Sequence, residues 1–493
     1  MSLILSIILI ALPTSYVIYH RIFSPLASIP GPISASLSRL WLVKHTKQGD
    51  MHREILKLHA QHGKLVRTGP NEVSVTDLNA IKKIYGAGSK FRKSAWYGVF
   101  QGHRKFDLFA EQDEAIHGAQ RRLVSRIYAM DSLKDLEHYV DGAVAVFVDK
   151  MRGLQEQSID LGEWLQLFAF DVIGELTFSR RFGFMDAHQD DGVFTQIKNA
   201  LKSGTWLGQM PWIYWVHDFL MPVIGNYLGV NVRHGRLRDY TVQEVQARQN
   251  RGSDHQDILG KLFQVQQEKP SELSLADVTS MAASNINAGS DTTAISLRAI
   301  VYYLLKHPEY KTKLVEEVDS MSQNGVVSGI VSLEQSKSMP YLQAVMYEAL
   351  RLHPAVGMNL PRVTPAGGIS IDGHFMPEGT TIGANPWAVH RNKTVYGADA
   401  DAFRPDRWLK DESGDMRMRT FLGSIFFRVR GGCKDVLGQE HKLDGNVQMQ
   451  QKLIPTLLSH FDLQLTDPEA TWQEECNFFV MQSGLYVTLC PRK

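Results

Sequence analysis

The sequence is short of cysteine, has no repeat of fixed period and carries almost no net charge. Its three cysteines, Cys433, Cys476 and Cys490, all lie late in the chain, which excludes a disulfide framework. A reducing compartment fits best, where a cysteine can serve as a thiolate ligand or a nucleophile. The formal net charge of +1 leaves no basic surface for nucleic acid, so no nucleic-acid partner is predicted. The 493 residues suit either two domains or one enzyme with a single large core.

The N-terminus carries an uncharged apolar run, residues 3 to 19, which at about 17 residues is at the lower limit for crossing a bilayer. It lacks a charged leading segment and a small-residue cleavage site, so we predict an uncleaved anchor, with an interfacial helix as the alternative. Basic residues follow the run and place the rest of the chain on the cytoplasmic side. We therefore predict a membrane anchor with the start of a proline-rich hinge over residues 1 to 26, and one catalytic domain over residues 27 to 493.

A second apolar stretch, residues 275 to 305, predicts a long helix with unfavourable residues at its middle. Gly289, Asp291, Thr292 and Thr293 all disfavour a helix interior, glycine by about 1 kcal/mol relative to alanine. Such a violation is expected at functional sites. A helix kink solvated by water is the alternative interpretation.

Further motifs follow this stretch in a fixed order. Glu348 and Arg351 lie three residues apart on one side of an amphipathic segment, a spacing that is also common in surface ion pairs. The sequence Phe-Arg-Pro-Asp-Arg-Trp occupies residues 403 to 408, and Cys433 comes shortly after it. Together and in this order, the motifs resemble those of the cytochrome P450 family, the haem-thiolate monooxygenases. The resemblance covers nearly the whole chain.

The resemblance implies a mainly α fold with a small β-rich region, in which one large catalytic domain lies behind an N-terminal membrane anchor. It implies a haem cofactor whose iron has an axial cysteine thiolate, a ligand that favours O–O cleavage. Electrons would come from NADPH through a reductase, and O2 would be the oxidant. The substrate would be a lipophilic small molecule, in fungal secondary metabolism, and the protein would lie in the endoplasmic reticulum membrane with a cytoplasmic catalytic domain.

The resemblance also assigns roles to single residues. Gly289 would leave room for dioxygen, while Asp291 and Thr292 would relay protons through water. A buried network next to the thiolate loop would contain Glu348, Arg351 and Arg407. The haem carboxylates would be bound by basic side chains, namely His117, Arg121 and Arg362. For His117 and Arg121, which lie one helical turn apart, a solvated basic face is the alternative.

The segment around Cys433 departs from the family's loop, Phe-Gly-x-Gly-x-Arg-x-Cys-x-Gly. The departures are Phe427 and Val429 at the glycine positions, Gly431 at the arginine position and Asp435 at the last glycine. Cys433 is nevertheless the ligand candidate, because the other cysteines lie well past the loop. One alternative is therefore a catalytically impaired family member. Another, a haem enzyme that rearranges peroxides, is disfavoured by Thr292, because such relatives commonly lose the oxygen-activating residues of this helix.

A shift of reading frame explains these departures. Among the codons allowed for residues 429 to 436 there is a set that, read from the second base, encodes Phe-Gly-Ala-Gly-Ala-Arg-Met-Cys, which fills each fixed position of the loop. Residues 437 to 446 then permit Leu-Gly-Lys-Asn-Ile-Ser-Trp-Met-Glu-Met, which supplies the glycine after the cysteine and an amphipathic helix. We predict a frame error over these residues, with the thiolate encoded across Val436 and the frame regained near residues 447 to 451.

Other segments give structural expectations. Residues 64 to 76 predict a hairpin around the turn at residues 69 to 71, and residues 91 to 109 predict a loop above the haem. Residues 206 to 227 are rich in aromatic side chains without a clean period, which fits either core packing or a lid loop at the membrane interface. Residues 248 to 270 are polar and predict a connecting loop or an exposed helix end.

Overall fold

The computed structural model describes residues 2–86, 88–128, 135–225, 230–252, 256–323, 329–409, 418 and 445–492. Over these residues the chain is mainly α-helical with small β-sheets and forms a single domain, which confirms the predicted fold class. Cys433 and the loop around it lie outside the described residues.

Helices supply most of the described structure. In chain order the α-helices are α1 (Ser2–Ile18), α2 (Ile33–Leu37), α3 (Leu40–Gln48), α4 (Met51–His62), α5 (Leu78–Tyr85), α6 (Gly98–Gln101), α7 (Glu114–Val124), α8 (Glu137–Gly153), α9 (Leu161–Phe178), α10 (Phe184–Ala187), α11 (Val193–Gly208), α12 (Pro211–Ile224), α13 (Val230–Arg251), α14 (Ile258–Glu268), α15 (Leu275–Lys306), α16 (Pro308–Gln323), α17 (Leu333–Lys337), α18 (Pro340–Leu352), α19 (Pro386–Val389), α20 (Lys393–Tyr396) and α21 (Gly445–His460). A π-helix spans Tyr19–Phe23, and 3₁₀-helices span Ala95–Tyr97 and Pro405–Leu409.

The strands are short and form small sheets at the periphery. They are β1 (Leu65–Gly69), β2 (Glu72–Val75), β3 (Arg92–Lys93), β4 (Ser158–Asp160), β5 (Arg362–Val363), β6 (Ile369–Ile371), β7 (His374–Met376), β8 (Thr381–Gly383), β9 (Phe461–Leu465), β10 (Gln473–Asn477), β11 (Phe479–Ser483) and β12 (Tyr486–Pro491). One sheet has the order β1-β2-β8-β5-β3 and another the order β4-β12-β9, while β6-β7 and β10-β11 are hairpins. The antiparallel pairing of β1 with β2 confirms the predicted hairpin.

The long helix α15 lies at the centre of the larger hydrophobic core. It begins with a capping box, in which the Ser274 side chain accepts from the backbone of Asp277 and the Asp277 side chain accepts from the backbone of Ser274. It ends at Lys306, and α16 begins at Pro308, where proline is tolerated in a first turn. The long helix predicted over residues 275 to 305 is confirmed.

The prediction of a loop over residues 91 to 109 is only partly right, because this segment contains β3, a 3₁₀-helix and α6. Ser94 caps the 3₁₀-helix Ala95–Tyr97, because its hydroxyl accepts a hydrogen bond from the Trp96 amide at 3.3 Å. Lys93 in β3 pairs with Arg362 in β5. These contacts hold the segment against the larger sheet.

Residues 206 to 227 do not form the predicted lid loop, and contact of this segment with the membrane stays a prediction. Most of them form the end of α11 and the whole of α12, so they are not a loop. Trp212, Phe219 and Val223 are 64%, 82% and 85% exposed, so they are not core, whereas Tyr214 and His217 are buried. The helix was not predicted because its apolar side chains face outward and do not follow the pattern of a helix packed on a core.

Residues 248 to 270 are also more ordered than predicted. Helix α13 continues to Arg251, and α14 occupies Ile258–Glu268. Arg248 is buried, and its Nε lies 2.6 Å from Oδ2 of Asp257, which also caps α14. A buried ion pair thus joins two helices where the polar composition indicated a connection.

The N-terminal segment is bound to the catalytic part of the chain up to residue 26. The buried guanidinium of Arg67 in β1 donates to the carbonyl of His20 at 2.8 Å and that of Leu26 at 3.3 Å, and to the Ser24 hydroxyl at 3.3 Å. The predicted boundary at residue 26 therefore falls after residues that already contact β1. In the described part of the chain, no helix combines the length and the apolarity needed to cross a membrane, and the anchor stays a prediction.

Candidate functional site

The middle of α15 presents two different faces. A methyl group at Gly289 would overlap Cδ1 of Ile173 in α9, so this glycine allows close packing of the two helices. On the other face Ala288 is exposed and Thr292 is half-buried, although the residues around them are buried. An open space therefore borders Ala288 and Thr292. The added methyl group would point toward α9, and the role of Gly289 in leaving room for dioxygen stays a prediction.

The hydroxyl groups at the middle of α15 are bound to the helix itself. Thr292 Oγ1 donates to the carbonyl of Ala288 at 2.6 Å, and Thr293 Oγ1 donates to that of Gly289 at 2.7 Å. Such bonds to the carbonyl four residues earlier offset the poor helix propensity of threonine. Of these side chains, only Thr292 lies toward the open space.

Asp291 lies on the α9 side of the helix and is only 1% exposed. Gln166 Nε2 in α9 donates to its Oδ1 at 2.5 Å, and its Oδ2 accepts no hydrogen bond from the described residues. Burial raises the pKa of Asp291 to about 6, against the lowering effects of Gln166 and the Arg298 charge. The carboxyl group can therefore exchange a proton near neutral pH, but the structure does not place it beside the Thr292 hydroxyl.

Glu348, Arg351 and Arg407 do lie together, in a network that is almost fully buried. Arg351 binds both carboxylate oxygens of Glu348 at 2.8 Å, and Arg407 Nε donates to Oε1 at 2.8 Å. The Trp408 indole and the Arg404 amide also donate to this carboxylate, each at 2.8 Å. Helix α18 is thereby joined to the 3₁₀-helix Pro405–Leu409, the last segment described before the cysteine region.

The charges of this network are well compensated. Burial alone would raise the pKa of Glu348, but the hydrogen bonds from Arg351 and the charges of both arginines hold it below the usual value. The guanidinium of Arg407 also donates to the Tyr396 carbonyl at 2.6 Å, and that of Arg351 to the His390 carbonyl at 3.0 Å. The network therefore joins α18 to the backbone of residues 390 and 396 and to the 3₁₀-helix Pro405–Leu409.

Two of the predicted basic ligands lie on α7 and one on β5. His117 is buried and Arg121 is half-buried, one turn apart on α7. Arg362 Nη1 donates to the Tyr97 hydroxyl at 2.9 Å, and the guanidinium lies 5.4 Å from the centres of the Tyr85 and Tyr97 rings. In the described residues no carboxylate forms an ion pair with Arg362, so its charge is available to an anionic group.

Lys93 belongs to the same region and was not predicted as a site residue. It is 6% exposed, and its partner across β3 and β5 is Arg362. A strand-like alternation of burial could have identified Lys93, because Phe91 and Lys93 are buried and Arg92 between them is exposed. Because that run is so short, the alternation did not stand out in the sequence.

Comparison with known proteins decides the family. A cytochrome P450 family model matches residues 30–425. The chain belongs to the cytochrome P450 family. It is 38% identical to the cytochrome P450 monooxygenase hepC of Aspergillus oryzae, over 97% of this chain and 96% of that protein. It is 35% identical to the cytochrome P450 monooxygenase cicH of Emericella nidulans, over 97% and 96%, and 34% identical to a pisatin demethylase of Fusarium vanettenii, over 97% and 91%.

Membership confirms the predicted enzyme class and cofactor. The protein is a cytochrome P450 monooxygenase, an oxidoreductase whose cofactor is haem with an axial cysteine thiolate, and it acts on small molecules with O2 and a redox partner. The names of its relatives give no support to the alternative of a catalytically impaired member.

The described residues fit a P450 haem. Haem needs positive charge for its carboxylates and open space beside its ring. Arg362 and Arg121 offer the charge, His117 offers an imidazole nitrogen, and the exposed side of α15 at Ala288 and Thr292 offers the space. When bound, haem supplies the activation of O2, while the protein orients it and excludes side reactions. The thiolate ligand is assigned to the region of Cys433, outside the described residues.

Proposed function

We propose that this P450 inserts one oxygen atom of O2 into a lipophilic small molecule, by hydroxylation or a similar oxidation, in fungal secondary metabolism. The observation that carries the proposal is the position of Thr292, which is half-buried beside the open space at the centre of α15. The matched relatives hepC and cicH are fungal monooxygenases.

In this proposal Thr292 holds the proton donor on the open side of α15. Its hydroxyl can keep donating to the Ala288 carbonyl while its oxygen accepts a hydrogen bond from a water molecule in the open space. Asp291 is a proton reservoir on the opposite side, since its pKa of about 6 allows both protonation states near neutral pH. Transfer between them requires rotation of the Asp291 side chain away from Gln166.

Replacing Thr292 with Ala should uncouple electron transfer from product formation. We expect NADPH oxidation to continue, with hydrogen peroxide rising and product per NADPH falling by about tenfold or more, because a positioned proton donor is typically worth 10²–10⁴ in rate. Product, peroxide and NADPH are measured in the same reconstituted assay. Thr279→Ala is the control, since Thr279 makes the same kind of bond, to Leu275, at the exposed start of α15. Equal coupling in both variants would remove Thr292 from this role.

We further propose that the chain is held on the endoplasmic reticulum membrane by residues 1 to 26 and by α12, with residues 27 to 493 as the cytoplasmic catalytic domain. Trp212, Phe219 and Val223 lie on one exposed side of α12, at helical spacing. The residues between α2 and α3 link the two segments. Tyr16 donates to the Leu37 carbonyl at 2.7 Å, and the nearby Arg39 donates to Oε1 of Gln209, just before α12, at 3.3 Å.

Deleting residues 2 to 18 should release the protein only partly from microsomes. The deletion ends before His20, Ser24 and Leu26 because Arg67 needs their oxygens. Adding Phe219→Ser and Val223→Ser should complete the release, since both side chains would leave lipid. Adding Leu275→Ser instead, at an exposed apolar residue of α15, should change nothing. Complete release by the deletion alone would contradict a role for α12.

A further inference from the structure

The β10–β11 hairpin carries a carboxylate that lies between two buried histidines. Glu474 Oε2 in β10 is 3.2 Å from Nε2 of His52 in α4, and its Oε1 is 3.5 Å from Nδ1 of His353, the residue after α18. Both histidines are fully buried. Burial alone would raise the pKa of Glu474, but the contacts with His353 and His52 hold it well below its usual value. Glu474 is therefore an anion that joins the hairpin to two helices.

These contacts matter because the hairpin has little support of its own. Strands β10 and β11 form a two-stranded sheet, and an isolated hairpin of this size is only marginally stable in water. Its backbone is attached by single hydrogen bonds, such as those from the Cys476 amide to the Gly49 carbonyl and from the Val480 amide to the Ala355 carbonyl, each at 2.8 Å. The position of the hairpin therefore depends on the side chains that bind it to its neighbours, Glu474 among them.

The tip of the hairpin is Phe478, the one residue between β10 and β11. Its φ of 75° lies in the left-handed region, which a non-glycine residue keeps only where its surroundings hold it. The buried ring packs on Trp96 and Phe109, with ring centres 5.4 and 5.6 Å apart. Both partners belong to residues 91 to 109, the segment expected above the haem. The hairpin thus places an aromatic side chain against that segment.

The hairpin also reaches α15 beside the open space. Gln482 Nε2 in β11 donates to the Ile295 carbonyl at 3.0 Å. Ile295 lies three residues after Thr292, less than one helical turn away, and Thr292 borders the open space. A displacement of the hairpin would therefore change the border of that space.

We propose that Glu474 is a positioning residue for the oxidation: bound by His52 and His353, it fixes the β10–β11 hairpin and thereby the place of Phe478 at the edge of the open space. Glu474 acts through the hairpin and does not itself contact the substrate. The inference rests on the proposed function only in taking the open space beside Thr292 as the reaction site, whichever molecule is oxidised there.

Phenyldiazene is a probe that measures the shape of this space without a substrate. Treatment of the holoenzyme with phenyldiazene, followed by oxidation, attaches a phenyl group to the porphyrin nitrogens that the protein leaves uncovered, so the proportions of the N-phenyl isomers report that shape. In Glu474→Gln, which keeps the size of the side chain and removes its charge, isomers that are minor in wild type should gain share. Glu475→Gln is the matched control, because Glu475 is the next residue of β10 but binds Lys198 and Lys202 at the surface. Its proportions should equal those of wild type.

A double variant shows whether Glu474 acts through Phe478. Phe478→Ala should change the isomer proportions by itself, and adding Glu474→Gln should change them little further, since the two residues act as one unit. Product formation plays no part in these measurements, so a failure of the proposed oxidation is distinguishable from a failure of this inference.

Four outcomes would overturn the proposal: wild-type proportions in Glu474→Gln, equal changes in Glu474→Gln and Glu475→Gln, a full additional change in the double variant, or a lower urea midpoint with wild-type proportions, which would give Glu474 a role in stability alone. If Glu474→Gln does not fold, His52→Leu takes its place, because it removes the same contact from the side of α4.

Discussion

Replacing Glu348 with Gln is expected to lower the free energy of unfolding by about 3–5 kcal/mol, the usual cost of breaking a buried ion pair. The carboxylate is fully buried and accepts from Arg351, Arg407, Trp408 and the Arg404 amide. A glutamine has one acceptor oxygen, and its NH2 group would face donors. Two buried guanidinium groups would then lack their shared anion, and the segment that leads to the cysteine region would lose its attachment to α18.

Urea unfolding followed by tryptophan fluorescence measures this loss. Asp406→Asn is the control, since Asp406 lies in the same 3₁₀-helix but pairs with Lys313 at the surface, and its midpoint should stay close to that of wild type. Because the pKa of Glu348 is lowered in the folded state, its stabilising contribution is complete above the ordinary value of 4.5 and is lost as the pH falls through the folded-state pKa. A Glu348→Gln midpoint equal to wild type at neutral pH would contradict this account of the network.

Haem binding is expected to depend on the reading frame of the cysteine region. We expect that the messenger RNA encodes Phe-Gly-Ala-Gly-Ala-Arg-Met-Cys in place of residues 429 to 436, and that protein made from it binds haem stoichiometrically. The family model matches this chain only as far as residue 425, just before the departures from the loop begin. The chain as printed should bind haem poorly, because bulky residues stand where the loop needs glycine and the loop's arginine is missing.

Helix α21 gives independent support for this expectation. Gln448, Gln450 and Gln451 are all buried, although a helix buried on every side is normally apolar. The amide oxygens of Gln450 and Gln451 accept no hydrogen bond from the described residues, and each buried group of this kind costs about 1–3 kcal/mol. Residues 447 to 451 are where the frame must be regained, so polar residues in this core are what the frame error predicts.

Sequencing the transcript over residues 420 to 452 tests directly which reading frame the messenger RNA encodes. Haem content is then compared between protein made from the shifted sequence and protein made from the printed sequence, each purified with haem precursor added during expression. We expect a full complement in the first and little in the second. A transcript that confirms the printed frame, together with full haem content, would make Cys433 the ligand and the frame prediction wrong.

The parts of the fold that were predictable depend on local rules. Ser274 and Pro308 mark the ends of α15 through capping and through proline chemistry, and the turn after Gly69 marks the hairpin. Such signals lie within a few residues of the elements that they define. Helix α12 was missed because its apolar side faces outward, so its pattern did not match a helix packed on a core.

The sequence predicts which residues belong to the site, but it does not predict the directions in which their side chains point. Asp291 and Thr292 are adjacent in sequence and were expected to act side by side, but neighbouring helix residues point about 100° apart, and α9 binds the first while the second borders the open space. The close packing of Gly289 on Ile173 in α9 could not be predicted either, because it joins residues far apart in the chain. Lys93 needed the pairing of β3 with β5, which joins residues far apart in the chain.

The most direct test of the central claim, a haem-thiolate monooxygenase, is the reduced carbon monoxide spectrum of protein expressed from the sequenced transcript. We predict the red-shifted absorption band that reports a cysteine thiolate on the iron, and its loss when the cysteine encoded across Val436 is replaced with Ser. A spectrum without that band, in protein that carries its full complement of haem, would contradict thiolate ligation and with it the proposed oxidation chemistry.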